Sequence, residues 1–365
     1  MSRLPLILAL ALFAVARAAA ASAQSVAPEL PLEKLFGLPA ISQLSFSPDG
    51  RYIAALQPWE KRLNLVVVDL QRMQKTQVTS MKQEDIRGYW WASNSRLMCF
   101  MDQDGQESFS LFAVNADGTK PEPLDSHRGF SFVGRIAGDN DRVVVTIADD
   151  KRTRPDIYYF NLKNGRVKLH ARNPGNFTSW IVDRAGVARF GQSFELGVTT
   201  LYYRDHEKAP WEEIARFRDG EPSWFPLGFD GDNRTVYVAS DIGRRTLAVH
   251  RYDTAARKMG DLVHGDDTYD VTGIIYNDAL QRVIGVRYDA ERPVNVWLDQ
   301  KFRDYQRALD AAFPDTLVHI SEASADNSRL LVISYSDRHP ATYYVFDPQR
   351  KSLEPLASVR PDLKP

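Results

Sequence analysis

Asn64-Leu65-Val66-Val67-Val68-Asp69 is the stretch on which the fold turns. Four apolar residues, three of them β-branched, suit a buried strand. The aspartate that follows can accept hydrogen bonds from the backbone of the next turn and so end that strand. The same chemistry returns at Leu111-Phe112-Ala113-Val114 before Asn115, Ile157-Tyr158-Tyr159-Phe160 before Asn161, Leu201-Tyr202-Tyr203 before Arg204, and Tyr343-Tyr344-Val345-Phe346 before Asp347. With Asp253 and Asp299 added, seven marks stand at intervals of 46, 46, 43, 49, 46 and 48 residues.

Working back from each mark, a unit reads as a short strand, an Asp/Asn/Gly-rich turn, a second strand, a variable loop and the marked third strand. In the first unit these are Ile41 to Phe46, Ser47-Pro48-Asp49-Gly50, Arg51 to Leu56 and Asn64 to Asp69. Fourth strands such as Lys75 to Ser80 and Ser352 to Val359 are more polar, as solvent-facing outer edges are. A sandwich needs no such period, and a β-helix has shorter coils. The spacing predicts an all-β, seven-bladed β-propeller of four-stranded antiparallel blades over residues 41–359. Blades 1 and 7 are each expected to own four strands. One segment departs from the pattern: Phe302, Tyr305, Leu309 and Phe313 fall at helical spacing before Pro314, which predicts one short amphipathic helix in blade 6.

Outside this region the chain is read by composition. Arg3, the apolar run Leu4 to Val15 and Ala21-Ser22-Ala23 form an expected signal peptide over 1–23, cut between Ala23 and Gln24. The run is too short to cross about 30 Å of hydrocarbon, and no cysteine follows it, so neither a stable membrane anchor nor a lipid anchor is expected. Residues 24–40 read as a lead-in, and localisation as periplasmic or secreted. The net charge of -1 over 365 residues points away from nucleic acid. Cys99 is the sole cysteine. It sits in an apolar run, so it reads as a buried core thiol.

Ser47-Pro48-Asp49-Gly50-Arg51-Tyr52-Ile53-Ala54 resembles the hairpin of propellers in prolyl-oligopeptidase-type (S9) serine peptidases and of TolB-like propellers. Tyr288-Asp289-Ala290-Glu291-Arg292-Pro293, then Trp297-Leu298-Asp299 and a helix ending Leu309-Asp310-Ala311-Ala312-Phe313-Pro314, is similar to bacterial dipeptidyl-aminopeptidase and acylaminoacyl-peptidase-like members. The resemblance covers about residues 30 to 365. It implies hydrolysis of short peptides as the family activity, with the catalytic triad on an α/β-hydrolase domain that follows the propeller.

No residue here matches that triad. Gly191-Gln192-Ser193-Phe194-Glu195 lacks the last glycine of the Gly-x-Ser-x-Gly elbow and no helix pattern follows it. The seven histidines show no metal-ligand spacing, and there is no glycine-rich phosphate loop. No catalytic residue, cofactor or metal is therefore expected from this chain.

In a four-stranded up-and-down blade, the second-to-third loops lie on the face from which both termini emerge. These loops are charged, and Arg152, Arg154, Arg244, Arg245, Arg292 and Arg338 are expected to line that face as gating or docking residues for a peptide substrate or for the hydrolase domain. Residues 360–365 read as the start of an interdomain linker. Two readings stay open: the non-catalytic half of an exported peptidase, and a stand-alone, TolB-like propeller that binds a peptide or protein.

Overall fold

The computed structural model describes residues 31–103, 106–124, 130–148 and 154–363; the side chains of 102–109 are also left out of the description. Residues 1–23 and Arg152 therefore lie outside it. Two compact units emerge, up to Leu38 and from Pro39 onward. The first holds a five-residue helix, α1 (Leu32–Phe36), a short element the sequence pattern did not single out.

The second unit is a seven-bladed propeller. The blades span Ser42–Gln77, Ile86–Leu124, Ser131–Ala171, Phe177–Arg218, Trp224–His264, Val271–Trp297 and Leu317–Ser358, each a separate antiparallel sheet whose strands pair in chain order. Four of the seven polar marks close the following turn as expected, while Asn115 and Arg204 make other contacts. Asp69 Oδ1 accepts from the N–H of Gln71 at 2.9 Å and Arg72 at 3.2 Å. Asp253 receives Ala255 and Ala256, and Asp347 receives Gln349 and Arg350. Asn161 holds Lys163 and Asn164 in the same way.

Asp299 uses this geometry for a different purpose. It accepts from Lys301 and Phe302 and thereby caps a helix, α2 (Gln300–Ala312). The residues behind it contain no glycine and no β-branched residue, so the chain continues as a helix instead of turning into a strand. Blade 6 consequently has three strands where four were expected. Buried Phe302 and Leu309 of α2 pack with Ile284 and Trp297 of blade 6 and with Val318, Ile320, Leu330 and Val332 of blade 7. The helix thus fills the space between two blades.

The core is a chain of inter-blade apolar layers. Ala54, Leu56, Leu65 and Val67 of blade 1 pack on Ile86, Trp91, Leu97 and Cys99 of blade 2. Burial pushes the Cys99 thiol well above its ordinary range, which makes it inert. Blades 1 and 7 share no strand. Their seam is closed by Leu44, Phe46, Ile53, Val66 and Leu331, with Arg329 Nη1 donating to Gly50 O at 2.7 Å.

Candidate functional site

The strand order gives the disc two different faces. One carries the first-to-second turns. These are stitched from blade to blade by polar contacts: Ala137 N to Arg184 O at 2.7 Å, Arg184 N to Asn233 Oδ1 at 2.7 Å, Val283 N to Asp230 Oδ1 at 3.0 Å, and Asn277 Nδ2 to Asn327 Oδ1 at 2.8 Å. Turns tied to their neighbours in this way form a stiff rim. The other face carries the second-to-third connections. Ala40 N donates to Val359 O at 2.9 Å there, so the chain enters and leaves the disc side by side.

Arg154, Arg244, Arg245, Arg292 and Arg338 all lie in these second-to-third connections, in blades 3, 5, 5, 6 and 7. Arg244 is committed: its Nη2 pairs with Asp267 at 3.0 Å. Arg245, Arg292 and Arg338 are exposed, and Arg154 is half-buried. The connections differ in length from the sequence expectation. In blade 1, β-structure runs to Trp59 and resumes at Arg62, which leaves Glu60 and Lys61 as a tight turn with φ of 46° and 69°. Long connections remain in blades 3, 5 and 7.

Sequence reasoning missed the apolar part of this face. At the tip of blade 4, Leu196 is 103% exposed and holds a φ of 49°. A leucine in the left-handed region is strained, and one fully in water gains nothing from burial. Phe194 beside it is 46% exposed, and Ile242 on the neighbouring blade 5 is 51% exposed. The signal was present as Glu195-Leu196-Gly197, an apolar residue where a two-residue hairpin wants Asn or Asp. Ser193, two positions earlier, is buried in mid-strand, and no nucleophile elbow exists there.

The central channel holds a cavity of about 610 Å³ at its turn-face end. First strands and first-to-second turns line it, notably Tyr89 and Trp90 of blade 2, Arg135 of blade 3, Arg184 of blade 4, Tyr276 of blade 6 and Glu322 of blade 7. Arg184 reaches past blade 5, pairs with Asp278 at 2.6 Å and lies 3.7 Å above the Tyr276 ring. Glu322 Oε2 accepts from Phe46 N at 3.3 Å across the 7/1 seam. Burial pushes its carboxyl up from 4.5 to about 7, against that bond and the nearby charge of Arg135, which both lower it.

The raised value sets a pH dependence. Below about pH 4.5 Glu322 is protonated whether folded or unfolded. Between 4.5 and 7 only the folded state keeps the proton, so stability falls as pH rises, and above about 7 the loss is complete. Glu322→Gln keeps an acceptor for Phe46 and removes the charge. It is expected to flatten this slope and to stabilise the disc at pH 8 by about 1–2 kcal/mol, discounted for channel solvent. Melting curves of both proteins at pH 5 and 8 check this.

The architecture is the unclasped kind of propeller, its ring closed by side-chain packing and isolated hydrogen bonds. Along 376 aligned residues the chain is 26% identical to dipeptidyl aminopeptidase BIII of Pseudoxanthomonas mexicana, covering 99% of this chain and 54% of that protein. It is 22% identical to dipeptidyl peptidase family member 6 of Caenorhabditis elegans, covering 92% of this chain and 48% of that one. The chain thus spans about half the length of the curated relatives it matches. Among solved structures, its fold is similar to a prolyl endopeptidase (TM-score 0.61, 12% identity, 89% of this chain and 50% of that one) and to a Mycobacterium tuberculosis puromycin-hydrolysing peptidase (TM-score 0.54, 14% identity, 92% and 56%). No family profile matches the chain. The chain is thus similar to about half of these dipeptidyl peptidases and shares the propeller fold of the solved peptidases, and the described residues include no α/β-hydrolase domain.

Among the described residues no three His, Cys, Asp or Glu side chains stand together as metal ligands. No described helix is long and apolar enough to cross a membrane.

Proposed function

We infer that this propeller serves a peptidase as a non-catalytic docking and gating element, with its second-to-third face turned toward an α/β-hydrolase domain and peptide substrate. The observation that carries this is the alignment over 99% of this chain with about half of a dipeptidyl aminopeptidase. Leu196, Phe194 and Ile242 supply apolar anchors on that face, and Arg154, Arg245, Arg292 and Arg338 supply cations for peptide carbonyls and carboxylates. Arg152 falls in the same blade 3 connection by sequence. Export through the N-terminal apolar run, as a periplasmic or secreted protein, belongs to the same reading, as does a linker beginning at residue 360.

The test is a chimera in which residues 39–365 replace the propeller of the Pseudoxanthomonas enzyme. A folded chimera that releases dipeptides from a chromogenic substrate supports the reading. A folded chimera with no activity, or hydrolysis by the unaltered 365-residue chain alone, overturns it. In the former case a stand-alone binding role becomes the better account.

A further inference from the structure

The turn-face cavity lies at the opposite end of the channel from the proposed docking face, and it is built from side chains that the docking reading does not use. Some charges on its wall are neutralised locally. Arg184 is held by Asp278 at 2.6 Å, and Asp139 is held by Arg142 at 2.6 Å. Arg287 Nε donates to Asn295 Oδ1 at 3.4 Å, a neutral partner that leaves its charge uncompensated. Two further charges have no ion pair.

The side chain of Arg135, on the first strand of blade 3, has no hydrogen bond or ion pair with any described residue. Glu322, on the first strand of blade 7, has one hydrogen bond, from a backbone N–H. They are near enough for the guanidinium to act on the carboxyl, yet they do not close into an ion pair. Opposite charges on flexible side chains facing one solvent-filled space would ordinarily meet. Arg135 on blade 3 and Glu322 on blade 7 instead stand three blades apart around the cavity wall.

The wall between them is mixed and more polar than apolar; its apolar part is Trp90 beside Arg135 and Ile274, Ile275 and Ile320 of blades 6 and 7. A volume of about 610 Å³ falls within the usual range for small-molecule sites. A ligand suited to this wall has a carboxylate for Arg135, an ammonium for Glu322 and an apolar body between them. Arg binds carboxylates through two parallel N–H donors, and a half-buried carboxylate binds an ammonium more strongly than a solvated one.

We propose that the turn-face end of the channel is a binding site for short zwitterionic peptides, with Arg135 holding the C-terminal carboxylate and Glu322 the N-terminal ammonium. The site stands on residues of the disc alone and does not depend on the docking role of the opposite face.

Calorimetric titration of the 365-residue protein with glycyl-phenylalanine, at pH 8 so that Glu322 is ionised, tests this. Saturable binding is expected, weakened roughly tenfold or more when the amine is acetylated and likewise when the carboxylate is amidated. Glu322→Gln is expected to abolish the discrimination against the acetylated peptide while keeping that against the amide. Arg135→Gln is expected to do the reverse. Equal affinity for the free and both capped peptides, or no saturation at millimolar concentration, overturns the proposal. Should either substitution lower the melting temperature, the capped-peptide series on the unaltered protein decides the matter by itself. Leu262→Ser, at an exposed position on the outer strand of blade 5, serves as control and is expected to leave dipeptide binding unchanged.

Discussion

Leu331→Ala is expected to destabilise the disc by about 3 kcal/mol and to open it at one place, between blades 7 and 1. Leu331 is 1% exposed and packs with Leu44, Phe46, Ile53, Ala55 and Val66 across the seam. Truncating a buried leucine removes its transfer energy and leaves a cavity, at 2–5 kcal/mol in typical cores. For a protein of this size that lowers the melting temperature by about 4 °C.

The location matters as much as the magnitude. Every other seam joins blades that follow one another in the chain, so local loosening there cannot separate them far. Blades 7 and 1 are distant in sequence and share no strand. Packing there is supplemented by isolated hydrogen bonds, Arg329 Nη1 to Gly50 O, Phe46 N to Glu322 and Ala40 N to Val359 O. Hydrogen exchange by mass spectrometry is therefore expected to show faster exchange confined to blades 1 and 7. Leu201→Ala, at a fully buried position in the blade 4/5 layer, is the comparison. A similar loss of stability is expected from it, without faster exchange at the 7/1 seam. Identical exchange patterns for the two variants would refute the account of closure.

On the loop face, Leu196→Asp combined with Ile242→Asp is expected to weaken docking of a hydrolase domain at least tenfold, while leaving the melting temperature nearly unchanged. Exposed side chains contribute little to folding, and substitutions of this kind stay within about 0.5 kcal/mol. Exposed apolar side chains on a rigid tip are where an interface concentrates its energy. Leu196→Asn sharpens the test, because asparagine tolerates the φ of 49° better than leucine does. It is expected to raise stability and weaken docking together. The measurements are thermal melts and, in the chimera, kcat/KM for a dipeptidyl substrate. Unchanged kcat/KM in the double variant would remove these residues from the interface.

How the sequence and the structure divided the work follows from the kind of information each carries. The seven polar marks were legible because each ends an apolar strand, and in most of them the side chain bonds the two N–H groups after it. Asp69, Asn161, Asp253 and Asp347 do this within three residues, and the period followed directly. Asp299 shows the limit of such reading. Its cap is the same, and the helix that follows was legible from spacing, but the loss of blade 6's fourth strand was not. That loss is decided by Phe302 and Leu309 finding partners on blade 7, which no local pattern reports.

The candidate sites divide in the same way. The arginines of the second-to-third connections were assigned to one face by strand parity alone, without any contact being known. Leu196 was overlooked because it is a single apolar residue in a polar turn, and its meaning depends on being unburied. Arg135 and Glu322 lie 187 residues apart, and nothing near either one points to the other.

The sequence by itself determined the propeller, its blade count, the helix after Asp299 and the lack of a nucleophile elbow, because periodicity and capping act over a few residues. Tertiary structure alone decided how the ring closes, which tips stand bare, and that Arg135 and Glu322 face one cavity without pairing. Those depend on residues from first and last blades, brought together only when the ring is complete.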